Sequence, residues 1–164
     1  MLNKEVLGLD IGGPIIDMVN DWTPDFFIND EYLKTPAVQG AFDAIRQLVE
    51  KSFGENVFLL SVRRTDSQNK TLTWLDHYDF FNLTGVKRNN VHFCVKRAEK
   101  AGICQNLGIN IYVDDKLENL SYMTMVNTRI LFKPNPEEVS NFSNFLSVVQ
   151  RVDSWQEILQ KYLP

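Results

Sequence analysis

The chain lacks any uninterrupted apolar run approaching the roughly 18 residues that a membrane-spanning helix needs, and its start has no basic flank leading into a long apolar region. A cytoplasmic protein with no membrane segment is expected. Runs of lysine and arginine are also missing. Seventeen basic residues face twenty-one acidic ones, a net charge of −4, which argues against nucleic acid as a partner. Cysteine is scarce: Cys94 falls in a predicted strand and Cys104 in a predicted helix, a spacing that suits neither a zinc site nor a disulfide framework. Both are expected to be buried and reduced, and only His92, on the same strand face as Cys94, offers a thiol a partner. There is no internal repeat and no low-complexity tract. With 44% hydrophobic and 23% charged residues, the 164 residues suit one globular domain, 1–164.

What the chain does have is Val6-Leu7-Gly8-Leu9-Asp10-Ile11-Gly12-Gly13, a short apolar run that ends in an aspartate and two glycines. It predicts a buried strand that carries one carboxylate to its C-terminal end, followed by a backbone tight enough to need glycine. Further short apolar runs follow at Asn56 to Ser61, Val91 to Val95, Asn110 to Val113 and Thr128 to Phe132. Between them lie helical patterns: Ala41 to Phe53, a helix capped by Thr65-Asp66-Ser67 and carrying a partly buried His77, Ala98 to Leu107 closed by Gly108, one marked by Val139 to Val149, and Trp155 to Leu163. Strands alternating with helices predict a three-layer α/β domain, a Rossmann-like parallel sheet of about five strands covered on both faces.

Residues 14–39 break this rhythm. They mix Ile15, Ile16, Trp22, Phe26, Phe27 and Tyr32 with Asp17, Asp21, Asp25, Asp30 and Glu31, and three prolines interrupt any period. The segment reads as a lid-like insertion over the end of the sheet, or else as an irregular piece packed on its flank.

A parallel sheet brings strand ends to one edge, so Asp10, Ser61 and Asp114-Asp115 are expected to meet in one crevice. Carboxylates gathered there repel one another unless a cation or a proton intervenes. Mg²⁺, an oxygen-preferring ion that keeps waters for a phosphate to displace, fits such a cluster. Lys100, near a helix start, would hold negative charge, and the Ser61 hydroxyl would donate to a phosphoryl oxygen. Lys96 is the alternative lysine, and Arg63 and Arg64 are further candidates for an anion or for plain surface charge.

In order and placement, Asp10, Ser61, Lys100 and Asp114-Asp115 resemble the haloacid dehalogenase-like (HAD) hydrolases, over residues 6 to about 135. The resemblance implies that Asp10 is a nucleophile attacking phosphorus, Ser61 the phosphoryl-binding hydroxyl and Lys100 the charge neutraliser. It further implies Mg²⁺ held by Asp10, the Gly12 carbonyl, Asp114 and Asp115; Gly12, Gly13 and Arg63 are the candidates for contact with a small phosphorylated substrate. The end Tyr112-Val113-Asp114-Asp115 is similar to that of small HAD nucleotidases. One position departs from the pattern: most HAD phosphatases have a second Asp two residues after the nucleophile, as general acid and base, a function worth roughly 10²–10⁴-fold in rate. Here it is Gly12. Either the leaving group needs no proton, or a carboxylate such as Asp17 or Asp21 substitutes, or the protein binds a phosphorylated ligand without efficient turnover. The glycine spacing also resembles the phosphate segment of actin-like sugar kinases, but the chain is too short for their two domains and has Pro14 where they carry a hydroxyl. It does not form a dinucleotide-binding turn.

Overall fold

The computed structural model describes residues 4–18 and 30–164, and the candidates Asp21, Trp22, Asp25, Phe26 and Phe27 lie outside them. Six parallel strands form one sheet: β1 (Leu7–Leu9), β2 (Val57–Val62), β3 (Val91–Cys94), β4 (Ile111–Asp114), β5 (Thr128–Phe132) and β6 (Gln150–Val152), in the order β3-β2-β1-β4-β5-β6. The five expected strands are present. The sixth, β6, pairs with β5 from Ile130↔Gln150 to Phe132↔Val152. It follows the expected 139–149 helix, in whose place stand a short helix α6 (Pro136–Asn141) and a 3-10 turn (Ser143–Val148). Only Val152 of β6 is buried, so an edge strand this polar leaves no apolar run to read.

Side-chain alternation sorts the two layers. Leu7, Leu9, Val57, Leu59, Ile111, Val113, Ile130 and Phe132 face one core. Helices α1 (Ala41–Leu48), α2 (Thr65–His77), α3 (Phe80–Thr84) and α7 (Trp155–Tyr162) close it, with Ile45, Trp74, Phe80 and Trp155 buried. Leu60, Tyr112 and Leu131 face the other core, under α4 (Glu99–Leu107) and α5 (Leu117–Ser121), with Cys104 and Leu117 buried. Helix α1 continues through a wider turn, Val49–Phe53, and stops at Gly54. Helix α2 begins without a side-chain cap, because Asp66 lies inside the first turn and accepts from Ser67 N at 3.0 Å. His77 is exposed rather than partly buried, on the outer face of α2.

Two local features set up the sheet edge. A Cβ on Gly8 would lie 2.5 Å from the Tyr112 ring, so glycine lets that ring cross beneath β1. The Tyr112 hydroxyl then donates to the Leu60 carbonyl of β2 at 2.6 Å. The described ends of the 14–39 segment pair with each other and with the domain. Val38 N donates to Ile15 O, Asp17 N donates to Pro36 O, and Ile16 bridges both Gly12 and Ala37. Trp74 of α2 and Tyr78 just past its end donate to the carbonyls of Thr35 and Leu33. Ile15, Ile16, Tyr32 and Val38 are therefore part of the main core, and the segment's roots are packed into the sheet edge.

Candidate active site

The strand order reverses between β1 and β4, which lie side by side in register, Leu9 beside Val113. A crevice opens at the C-terminal ends of strands at such a point. Asp10 stands there, one residue past β1 with its N–H on the Val113 carbonyl, and Asp114 ends β4. Alternation aims both toward the α4 layer, because Asp10 follows Gly8 and Asp114 follows Tyr112. Helix α4 sends up Lys100, whose ammonium donates to Asp10 Oδ1 at 3.1 Å and to Asp114 Oδ2 at 2.8 Å, and lies 5.3 Å from the centre of the Tyr112 ring. All three groups are buried, Lys100 at 1% side-chain exposure. Burial opposes the charge on Lys100, but Asp10 and Asp114 outweigh it and the lysine's pKa is raised. The reserve lysine, Lys96, is exposed.

Asp114 is fully engaged. Its Oδ1 accepts from Lys116 N at 3.0 Å and Asn119 Nδ2 at 3.1 Å, and its Oδ2 accepts from Lys100 and, at 3.0 Å, from Asn119 Nδ2. Asn119 was not legible from sequence. Its signal is a spacing of five from Asp114, which carries it onto the first turns of α5 and back over the carboxylate.

Asp115 has a different surrounding. Its Oδ1 is buried without a hydrogen-bond partner. Burial, then repulsion by Asp10 and by Asp114, pushes its carboxyl well above the ordinary value. Asp10 is raised as well, by burial and then by Asp114, against the opposing pull of Lys100 and Arg63. One oxygen each of Asp10, Asp114 and Asp115 lies within 4.8 Å of the others. Three carboxylates this close, two of them pushed up and one with a bare buried oxygen, form a donor set suited to a hard divalent cation.

The glycines make this approach possible. Gly13 has φ +102°, and a Cβ there would lie 2.4 Å from Asp115 Cγ, so both conformation and space demand glycine. Its N–H donates to the Ile16 carbonyl at 2.9 Å. Against Gly12 lies the guanidinium of Arg63, the residue just past β2. Arg63 Nη1 donates to the Val62 carbonyl at 2.9 Å. Burial pulls the Arg63 pKa down, while Asp10, then Asp115 and Asp114, support its charge.

A cavity of about 520 Å³ opens over this cluster. Asp10, Gly12, Gly13, Arg63, Lys100 and Asp115 form its floor. Asp17 and Met18 enter from the chain that follows β1, and Arg97, Lys116, Lys133 and Glu138 from the α4, α5 and α6 side. Lys133 follows β5 with a left-handed φ of 39°, a strained setting for a residue with a side chain. Glu138 accepts from the N–H groups of Leu117 and Glu118, so a carboxylate from the β5 exit caps α5. Ser61 is fully buried, its hydroxyl has no hydrogen-bond partner, and the described cavity lining includes its neighbours Val62 and Arg63 but not Ser61. Cys94 and Cys104 are buried free thiols, and burial raises both, Cys104 to about 12.

No family profile matches the chain. A protein of Oceanobacillus iheyensis described as "Putative nucleotidase OB0422" is 27% identical over 128 residues, an alignment that takes in 78% of this chain. The chain spans 62% of that protein's length, less than two thirds. Among solved structures, the HAD domain of effector protein Lem4 from Legionella pneumophila superimposes with a TM-score of 0.48 at 9% identity, over 96% of this chain and 93% of that one.

Proposed function

We propose that the chain is a HAD-like, Mg²⁺-dependent phosphohydrolase acting on a small phosphorylated molecule through an aspartyl-phosphate on Asp10. The observation that carries this reading is the pairing of a buried, lysine-held Asp10 with a crowded acidic cluster at the point where the sheet order reverses. The distant relative described as a nucleotidase supports a phosphorylated small-molecule substrate.

In this reading Asp10 Oδ2, the oxygen not bonded to Lys100, attacks phosphorus. Lys100 opposes the rise of the Asp10 pKa and orients its carboxylate, and Asp114, itself held by Asn119, keeps Lys100 in place. Asp10, Asp115 and the Gly12 carbonyl would hold Mg²⁺, with Asp114 adding its charge to the cluster. The ion would neutralise the phosphoryl oxygens. Ser61, next in the chain to the lining residues Val62 and Arg63 but not itself in the cavity wall, is the candidate donor to one of those oxygens because its buried hydroxyl has no partner, a state that costs about 1–3 kcal/mol. Gly12 and Gly13 let the phosphoryl group approach the backbone, and Arg63 lies beside Gly12 as a further substrate-binding candidate.

Phosphate release from a panel of aryl, acyl and nucleotide phosphates, with and without Mg²⁺, tests the reading. Turnover that needs the metal and vanishes in Asp10→Asn is expected; turnover that survives Asp10→Asn removes the nucleophile. Gly12 favours a second reading, a HAD-like scaffold that binds a phosphorylated ligand without efficient turnover. Activity that appears only in Gly12→Asp would select it.

A further inference from the structure

The place two residues after Asp10 is not vacant. A Cβ built on Gly12 would lie 2.5 Å from Arg63 Nη2, so the guanidinium rests where a side chain at position 12 would begin. The arginine is anchored from behind: its Nη1 donates to Val62 O, its N–H donates to Cys94 O at 2.8 Å, and its carbonyl accepts from Gln68 Nε2 at 3.0 Å. Building on the function proposed above, we propose that Arg63 serves the leaving-group side of the reaction with charge instead of a proton, and that the substrate is a phosphoanhydride.

A guanidinium does not release a proton at neutral pH, so it cannot act as the general acid that an alcohol leaving group requires. It does bind the paired oxygens of a phosphate, in a planar fork that matches them. A phosphoanhydride is the substrate class whose leaving group is itself a phosphate: it departs without protonation and carries negative charge away from the reacting phosphorus. The cavity wall agrees with this choice over an acyl phosphate, whose leaving carboxylate drags an organic tail. Arg97, Lys116 and the strained Lys133 line the cavity together with Asp17 and Glu138, and although Arg97 is paired with Glu118, three cations against two carboxylates leave the wall around Arg63 on balance cationic for a departing polyanion.

The chemistry balances without an acid. An Asp10 carboxylate oxygen forms a bond to the terminal phosphorus as the bridging P–O bond breaks, and the electron pair of that bond leaves on the departing phosphate. Water then adds to the phosphorus of the aspartyl-phosphate and passes its proton to a phosphate oxygen, while the Asp10 O–P electron pair returns to the carboxylate. No side chain is needed to donate or store a proton.

The test compares pyrophosphate, p-nitrophenyl phosphate and glycerol phosphate in the wild type, Arg63→Ala, Arg63→Lys and Asp17→Asn, with thermal melts to certify folding. Pyrophosphate is expected to exceed glycerol phosphate in kcat/KM by at least about 10²-fold. Arg63→Ala should lower the pyrophosphate value by about 10²–10³-fold, and the nitrophenyl value by less than tenfold. Should Arg63→Ala fail to fold, Arg63→Lys keeps charge and stem but loses the fork, and is expected to show the same selective loss on a smaller scale. Comparable turnover of glycerol phosphate, lost in Asp17→Asn, would overturn the inference, as would an equal loss on all three substrates. A binding measurement separates this inference from the hydrolase reading. Methylenediphosphonate should bind Asp10→Asn more tightly than methylphosphonate does, by a margin that disappears when Arg63→Ala is added. If no substrate releases phosphate, hydrolysis alone fails, and this margin decides the role of Arg63.

Discussion

Asp114 and Asp115 are neighbours in the chain, yet they occupy opposite kinds of surroundings. Four hydrogen bonds from Lys100, Asn119 and Lys116 reach the first, whereas the second keeps a bare Oδ1 while the rest of its carboxyl group packs against Gly13. The difference follows from strand geometry: successive residues point to opposite sides, so one carboxylate turns down toward the helix layer and the other turns across the crevice. The first is structural capital for the lysine; the second is a site of strain that a ligand can relieve. One dipeptide thus both rigidifies the site and leaves it incomplete.

The largest expected effect lies at the group both neighbours serve. Asp10→Asn should reduce phosphate release by at least about 10⁴-fold, because no other group can accept the phosphoryl, while circular dichroism stays unchanged. Next comes the saturated neighbour. Asp114→Asn leaves Lys100 with one counter-charge in a dry setting, and urea denaturation should show a loss of about 3–5 kcal/mol. A loss no larger than that of an exposed Asp would break the contrast. Gly13→Ala, which places a Cβ both at positive φ and against Asp115, should cost about 1–3 kcal/mol and weaken any Mg²⁺-induced rise in melting temperature.

The smallest effect has an unusual sign. A carboxyl whose folded pKa is raised carries no penalty below its unfolded value and loses stability as pH rises through its folded value. Without divalent cations, Asp115→Asn should therefore match or exceed the wild type in melting temperature near pH 8, and the advantage should shrink toward pH 4. Added Mg²⁺ should stabilise the wild type and leave the variant unmoved. A melting temperature that falls in Asp115→Asn at pH 8 would place Asp115 beside Asp114 as a structural group.

Much of this was readable from sequence because the strands are buried on both faces and so appear as bare apolar runs. Leu7 to Leu9, Val57 to Leu60 and Ile111 to Val113 all announce themselves this way, and each exit residue is polar. The edge strand β6 was not readable, since two of its three residues face solvent. Helix α5 was missed because its five residues depend on Glu138, a cap sent from helix α6, rather than on a local one. In the site, the carboxylates and Lys100 stood at strand and helix ends and were legible by position. Asn119 was not, since its five-residue spacing from Asp114 brings it over the carboxylate only once the short helix α5 has formed, and that helix was itself missed. The contact between Gly12 and Arg63 was equally hidden: each residue was marked separately, but nothing in a spacing of fifty-one reveals that one occupies the space beside the other.

The tyrosine that passes under Gly8 gives the site its levelness. Its ring spans from β4 to β2 beneath the first strand, and Lys100 hovers over it, so the distance from Asp10 to its lysine is gauged against a rigid aromatic plate rather than a flexible chain. A methyl group at position 8 would tilt that plate. The glycine six ångströms or so of strand rise (about two residues) before Asp10 is thus a levelling screw for the carboxylate and lysine above it.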